Sequence, residues 1–381
     1  MTVSIESLGT REERDELVRL RRDFHEHPEL GYEEVRTSGI VTERLQGLGF
    51  AVRTGVAKTG VLGDHGQGTR GLYVRADMDA LPILEENEVP YCSRNQGVMH
   101  ACGHDAHTAV NLLTSSRFAG SDPGARLRFA FQPAEEGGQG ADRMMEQGAL
   151  DGMDAALGLH VWNSIPVGKV AITEGPAMAS VDDFTIRVHG VGCHAAEPHQ
   201  GDDPIVKAAG IIRDLQTIVS RRISPYDRAV VSVTQIEGGS AFNVIPNEVV
   251  LRGTVRTFDA DVQRTIHDRI REIVAGKGDF DVKSVTQVLV NDPAMCRLVR
   301  KAAEAVVGPE NIIENEVTMG GEDFASVLAA VPGCFFFVGS AGDGGGFPHH
   351  NARFDIDERA LAIGLEVMTG SIRNWIAEGA G

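Results

Sequence analysis

Gly71-Leu72-Tyr73-Val74-Arg75-Ala76 is the first of three apolar, strand-like runs, followed by Leu127-Arg128-Phe129-Ala130-Phe131 and Ala155-Ala156-Leu157-Gly158-Leu159. Helical stretches lie between them, one after Asp105 and one around Ala141 to Glu146. Strands alternating with helices imply an α/β sheet of parallel character. Towards the N-terminus, Arg11 to His27 places Leu17, Leu20 and Phe24 on one helical face, and Val35 to Leu48 repeats the habit with Val41, Leu45 and Leu48.

From about Val181 the texture changes. Phe184, Ile186 and Val188 alternate with polar residues, as do Val231 and Val233 and, less cleanly, Val249, Leu251 and Val255, which predicts strands with one wet face. Helical patterns over Pro204 to Val219 and Ala260 to Ala275 complete a small α+β layer. The α/β texture then returns with a helix from Pro293, the run Cys334-Phe335-Phe336-Phe337-Val338 and a last helix from about Asp357 to Ile376. The expectation is a mixed, largely parallel sheet flanked by helices, built from residues 1–180 and 291–381, with an inserted α+β domain over 181–290.

A chain of 381 residues exceeds what one core usually supports, so two domains are the default. Its 36 basic and 54 acidic residues give a net charge of −18, which speaks against nucleic acid or an anionic membrane as a partner. The start Met1-Thr2-Val3-Ser4-Ile5-Glu6 lacks a basic, then apolar, leader pattern, and no run of about twenty apolar residues occurs, so a cytoplasmic location is expected. Five cysteines without a framework pattern suit free or liganded thiols better than disulfides.

Two stretches carry chemistry. Met99-His100-Ala101-Cys102-Gly103-His104-Asp105-Ala106-His107 offers thiol and imidazole ligands, and Phe131-Gln132-Pro133-Ala134-Glu135-Glu136-Gly137-Gly138 offers adjacent carboxylates. Taken singly, a Cys-x-His pair is often a buried thiol beside a bonded histidine, and Glu-Glu a solvated edge. Their company changes the reading: His160 ends an apolar run and His349-His350 lie in a glycine-rich loop, so ligand-type residues recur at element ends, where open sheets place their sites. A metal-dependent hydrolase follows, with an unliganded carboxylate able to take a proton from an activated water.

Eight pieces, in order and over nearly the whole chain, resemble the bacterial and plant amidohydrolases of the hippurate hydrolase and indole-acetyl-amino-acid hydrolase type, a subgroup of the dinuclear metallopeptidases that includes the aminoacylases. They are Arg21 to Leu30, Arg75 to Pro82, Met99 to His107, Gln132 to Gly137, Leu159 to Trp162, Cys193 to Ala196, Phe242 to Pro246 and Gly320 to Phe324. The resemblance implies that Cys102, His104, Glu136, His160 and His350 hold two divalent cations, manganese or zinc, with cobalt or nickel as further candidates. Cys102 would occupy the bridging position that relatives outside the subgroup give to aspartate. It implies Glu135 as general base and Asp77 as an acid that orients a ligand. Either His349 or His350 is available as the last ligand; alignment through His350-Asn351 to Arg353-Phe354 favours His350. Ala352 stands where the family usually has proline, and Cys193 where it usually has glycine. His100 and His107 match no family ligand.

In the insert, His194 and Asn243 match residues that in the family reach the substrate, the histidine commonly from the partner of a dimer, and Arg256 offers a cation for a substrate carboxylate. Glu322 and Asp323 read as caps of the helix that follows. The implied reaction is hydrolysis of an N-acyl or N-aroyl amino acid, or a similar small amide, by a homodimer or higher homo-oligomer formed through the insert. A dipeptidase or aminopeptidase on the same scaffold is the alternative. A noncatalytic metal-binding dimer is a third reading, opposed by Glu135 standing beside all five ligand candidates.

Overall fold

The computed structural model describes residues 7–379. The chain divides into two compact units: Met1–Gly175 with Val290–Glu316 and Asp323–Gly381, and Pro176–Leu289 with Val317–Glu322.

The first unit is built on an eight-stranded sheet in the order Ala51–Val56, Gly60–His65, Arg126–Gln132, Gly71–Asp77, Ala155–Pro166, Gly333–Ala341, Val170–Ile172, Ile312–Glu314. Four of its pairings are parallel: Gly71–Asp77 with Arg126–Gln132 and with Ala155–Pro166, Gly333–Ala341 with Ala155–Pro166, and Ile312–Glu314 with Val170–Ile172. The central strands are apolar on both faces because both are covered: Gly71–Asp77 and Gly333–Ala341 are buried at every residue. The helices Arg11–Glu26, His104–Ser116, Pro293–Val307 and Arg359–Glu378 join the same core through Leu17, Leu20, Phe24, Val110, Val299, Leu361 and Trp375. Burial of each large side chain contributes about 1.5–3 kcal/mol. Among the described residues no helix is long and apolar enough to cross a membrane.

The expected helices and central strands are present to within a few residues, and the mixed, largely parallel α/β architecture is that of the sequence expectation. The hairpin Ala51–Val56/Gly60–His65 is additional. Its outer strand is exposed at four of its six residues, so it carries no hydrophobic period, and its turn uses Ala57 and Lys58 at φ 50° and 74°, without the glycine that normally advertises such a turn.

The second unit is a four-stranded antiparallel sheet, Ala229–Gly238, Glu248–Thr257, Ser180–His189 and Gly278–Thr286 in that order. The helices Pro204–Arg221 and Ala260–Val274 pack Ile211, Leu215, Ile218, Ile266 and Ile270 onto Phe184, Ile186, Val188, Leu251 and Val255. Each helix starts at an aspartate, Asp203 or Asp259, whose side chain accepts two backbone N–H groups. Val317–Glu322 joins this unit through backbone bonds between Ala177, Thr318 and Ala179.

Candidate metal centre

Gly103 lies between Cys102 and His104 at φ 95°, ψ 12°, at the N-cap of the helix His104–Ser116, and a Cβ there would lie 2.3 Å from Val161 Cγ2. Only glycine makes this turn cheaply, and the turn brings the thiol and the imidazole to one place. His104 donates from Nδ1 to the Asp79 carbonyl oxygen at 2.8 Å, which turns Nε2 towards the cluster. That buried nitrogen has no hydrogen-bond partner. Burial opposes protonation of His104, but Asp77 and Asp79 outweigh it and push the imidazole up to about 10.

The Glu135-Glu136 turn is held from below. Ala134 is left-handed at φ 51°, and its N–H donates to Glu34 Oε1 at 2.9 Å. The next two amides, of Glu135 and Glu136, donate to the two oxygens of Asp79, each at 3.0 Å. Gly140 closes the turn, where a Cβ would lie 1.7 Å from Pro133 O. One aspartate thus fixes both glutamates and, through its own carbonyl, His104.

His160 lies on the strand Ala155–Pro166, its Nδ1 2.6 Å from Val161 O and its Nε2 3.5 Å from Cys102 Sγ. Burial, with His107 and His349 beside it, holds its imidazole well below the usual range and therefore neutral, the form that binds cations. His350, left-handed at φ 66°, donates its backbone N–H to Ala101 O and brings Nε2 to 3.0 Å from Glu136 Oε1. That glutamate oxygen is buried. The neighbouring His349 points elsewhere, with Nε2 3.0 Å from Val161 O and its ring 4.6 Å from that of Trp162.

These side chains form two ligand groups, Cys102–His104–His160 and Cys102–Glu136–His350, each with its donor atoms within 4.8 Å of one another. The two groups have Cys102 in common. Glu135 joins His104 and Glu136 in a third group. The donor set fits divalent ions: the buried His104 Nε2 makes no hydrogen bond, the buried Glu136 Oε1 faces the His350 imidazole, and burial with Glu136 and Glu135 pushes the Cys102 thiol up, so only a cation would make it a thiolate at neutral pH.

Asp77 lies beneath this set. It accepts from His107 Nδ1 at 2.6 Å and Arg75 Nη1 at 2.7 Å, and its Oδ2 is 3.5 Å from His104 Nε2. Although burial favours the neutral acid, Arg75, His104 and His107 hold it well below the usual carboxylate range. His107 has no nitrogen left for a cation, because the Val161 N–H donates to its Nε2 at 2.9 Å. Asp323 stands at the N-cap of the helix Phe324–Ala330, but its side chain makes no capping bond. It accepts instead from Gln132 Nε2 at 2.7 Å, Arg75 Nη2 at 3.2 Å and the Ala141 N–H at 2.9 Å, so it braces the strand ends that carry Asp77 and the glutamates.

Sequence reading missed Asp79, Glu34 and this role of Asp323. Asp79 lay in plain view in Arg75-Ala76-Asp77-Met78-Asp79, but its work is done on backbone amides 56 and 57 positions away.

Within the second unit, His194 and Asn243 come together. Val244 pairs with His194, Ala195 N donates to Asn243 O, and both residues line a cavity of about 700 Å³ with Cys193. Arg256 is not in that lining; its Nη1 donates to Met319 O at 3.2 Å.

The model of Peptidase family M20/M25/M40 matches residues 73–374. The chain is 42% identical to the N-acetyl-L-cysteine deacetylase of Bacillus subtilis (strain 168), over 91% of this chain and 85% of that one. It is 37% identical to the IAA-amino acid hydrolase ILR1-like 4 of Arabidopsis thaliana, over 96% and 86%. Among solved structures, the Bacillus subtilis YXEP protein, described as a dinuclear metal binding peptidase from the M20 family, superposes with a TM-score of 0.85 at 32% identity, covering 97% of this chain and 99% of that one. Matched along most of its length in sequence and in fold, this chain belongs to peptidase family M20/M25/M40.

Proposed function

We propose that this chain hydrolyses the amide bond of N-acyl or N-aroyl amino acids or similar small amides. The observation that carries the reading is the pair of ligand groups sharing Cys102, with the Glu135 carboxyl beside them. The deacetylase and the IAA-amino acid hydrolase among its relatives support the substrate class.

In this reading Cys102, His104, Glu136, His160 and His350 hold two divalent cations, which supply Lewis acidity to the amide carbonyl and acidify water. Glu135 takes a proton from the attacking water and delivers it to the departing amine nitrogen. Asp77 keeps His104 oriented while His107 and Arg75 hold Asp77. Manganese or zinc both suit a set of sulfur, nitrogen and oxygen donors, which does not itself select between them.

His194 and Asn243 bind the substrate; Arg256 pairs with Val181 at the end of the sheet away from the His189–Glu248 pairing that leads to them, so it is tested separately. We infer a homodimer formed through the insert. Its sheet ends in the strand Ala229–Gly238, and Ile236, Tyr226, Phe242 and Val244 are exposed apolar side chains of this unit.

The test is metal removal. Protein stripped by a chelator should lose hydrolysis of acetyl- and benzoyl-amino acids and recover it with Mn2+ or Zn2+. Full turnover without metal rejects the mechanism, and a requirement for a free substrate amine turns the reading to an aminopeptidase.

A further inference from the structure

Cys296 and Cys334 stand apart from the metal centre. Both are free thiols with no exposed surface, and their sulfurs lie 3.6 Å apart. Cys296 is in the first turn of the helix Pro293–Val307, and Cys334 is the second residue of the strand Gly333–Ala341. The two backbones are locked to each other around the sulfurs. Asp292 N donates to Gly333 O at 2.8 Å. Phe335 N donates to Asn291 Oδ1 at 2.7 Å, and Asn291 Nδ2 returns a bond to Phe335 O at 2.9 Å. The residues on either side of Cys334 are therefore tied to the segment leading into the helix of Cys296, while the Asp292 side chain caps that helix at Met295 N. Cys296 Sγ is also 3.7 Å from Thr173 O, which confines it from the other side.

A buried cysteine commonly serves as a small apolar side chain, and one thiol here needs no other account. Two thiols in van der Waals contact on mutually fixed backbones are different. They are separated by 38 positions in sequence, and the sulfurs need to close by only about 1.5 Å to reach bonding distance.

We propose that Cys296 and Cys334 are an oxidation site at which a hydroperoxide forms a disulfide joining the helix Pro293–Val307 to the strand Gly333–Ala341. One sulfur, as thiolate, attacks the peroxide O–O bond, giving a sulfenic acid and, for hydrogen peroxide, one water. The second sulfur then displaces the hydroxyl of the sulfenic acid as a second water, and the S–S bond forms. Two thiols lose two protons and two electrons in all, and the peroxide is reduced. Because both sulfurs are buried, the reaction is slow and follows local opening of this part of the fold. Cys334 pairs with Leu157 on the neighbouring strand, three positions before the pairing of Phe337 with His160, so the crosslink does not draw on the metal ligands.

Metal-loaded protein is exposed to hydrogen peroxide for increasing times, at 25 °C and again just below its unfolding temperature, then denatured in N-ethylmaleimide and digested without reductant. Mass spectrometry should find the Cys296 and Cys334 peptides joined, about 2 Da lighter than their sum, reverting with dithiothreitol. The joined species should be missing from Cys296→Ala and from Cys334→Ser, whose folding is checked by circular dichroism. Recovery of both cysteines as maleimide adducts at both temperatures, or their appearance in pairs with Cys92, Cys102 or Cys193, overturns the proposal.

Discussion

Both carboxylate oxygens of Asp79 are engaged by backbone amides, of Glu135 and Glu136, and its carbonyl oxygen by His104. An asparagine in its place can accept only through its one amide oxygen, and its NH2 group would face one of the two N–H donors. Asp79→Asn should therefore leave far-UV circular dichroism unchanged while lowering both bound metal and kcat/KM by about 10–100-fold, measured by elemental analysis and by amide hydrolysis. Unchanged metal content and rate would leave Asp79 with no part in holding the turn. This is also where sequence reading stops. Cys102, His104, Glu136 and His160 could be named as candidates because ligand chemistry and order along the chain are legible, and the fold brings their donor atoms together. Asp79 could not, because an acid that bonds to distant backbone has no local signature. His349 and His350 illustrate the same limit: the two imidazoles are adjacent in sequence, and only the left-handed backbone at His350 sends one to Glu136 and the other to Val161.

At the scale of elements, the helix His104–Ser116 is a lever for the centre, since its first residue is a candidate ligand and its N-cap is Gly103. Gly103→Ala would combine a positive φ with a Cβ pressed into Val161, whose neighbour is His160. The expected outcome is a loss of about 2 kcal/mol or more in denaturant unfolding, with metal occupancy reduced in the protein that still folds. The same helix is anchored by charge. Asp105 accepts from Arg21 Nε at 2.9 Å and from His25 Nδ1 at 2.7 Å, and His25 Nε2 reaches Glu85 Oε1 at 3.2 Å. Burial works against ionisation of Glu85, but His25 and the Ser93 N–H hold its carboxyl down to about 2 from 4.5. A depressed carboxyl contributes stability that is complete above its unfolded value and is lost as the pH falls towards the folded one. Unfolding free energy should therefore decline from pH 4.5 towards pH 2 more steeply in the native chain than in Glu85→Gln, and equal slopes in urea titrations would deny Glu85 this role. None of these bonds was legible: Arg21 and His25 fall in one of the pieces that carry the resemblance and Asp105 in another, but neither piece says which side chains meet. The helices themselves were, because each buries a regular apolar face.

For the whole molecule, the parallel sheet was legible from its apolar runs, whereas Val170–Ile172 and Ile312–Glu314 are three residues each and too short to show a period. The second unit presents His194 and Asn243 on exposed backbone beside the fully exposed Phe242. A histidine so placed, in a unit whose sheet edge suits pairing with a second copy, is suited to serving the metal centre of a partner, and the proposal that it does so can be tested by mixing variants. Glu135→Gln lacks the base but keeps His194, and His194→Ala lacks the histidine but keeps the base, so each alone should be nearly inactive. If His194 acts across the dimer, unfolding and refolding the two together gives mixed dimers in which one site regains both groups. Random pairing then restores about a quarter of native turnover. If it acts within its own chain, no mixture exceeds the sum of the separate variants, and sedimentation of the same samples establishes that mixed dimers had the opportunity to form.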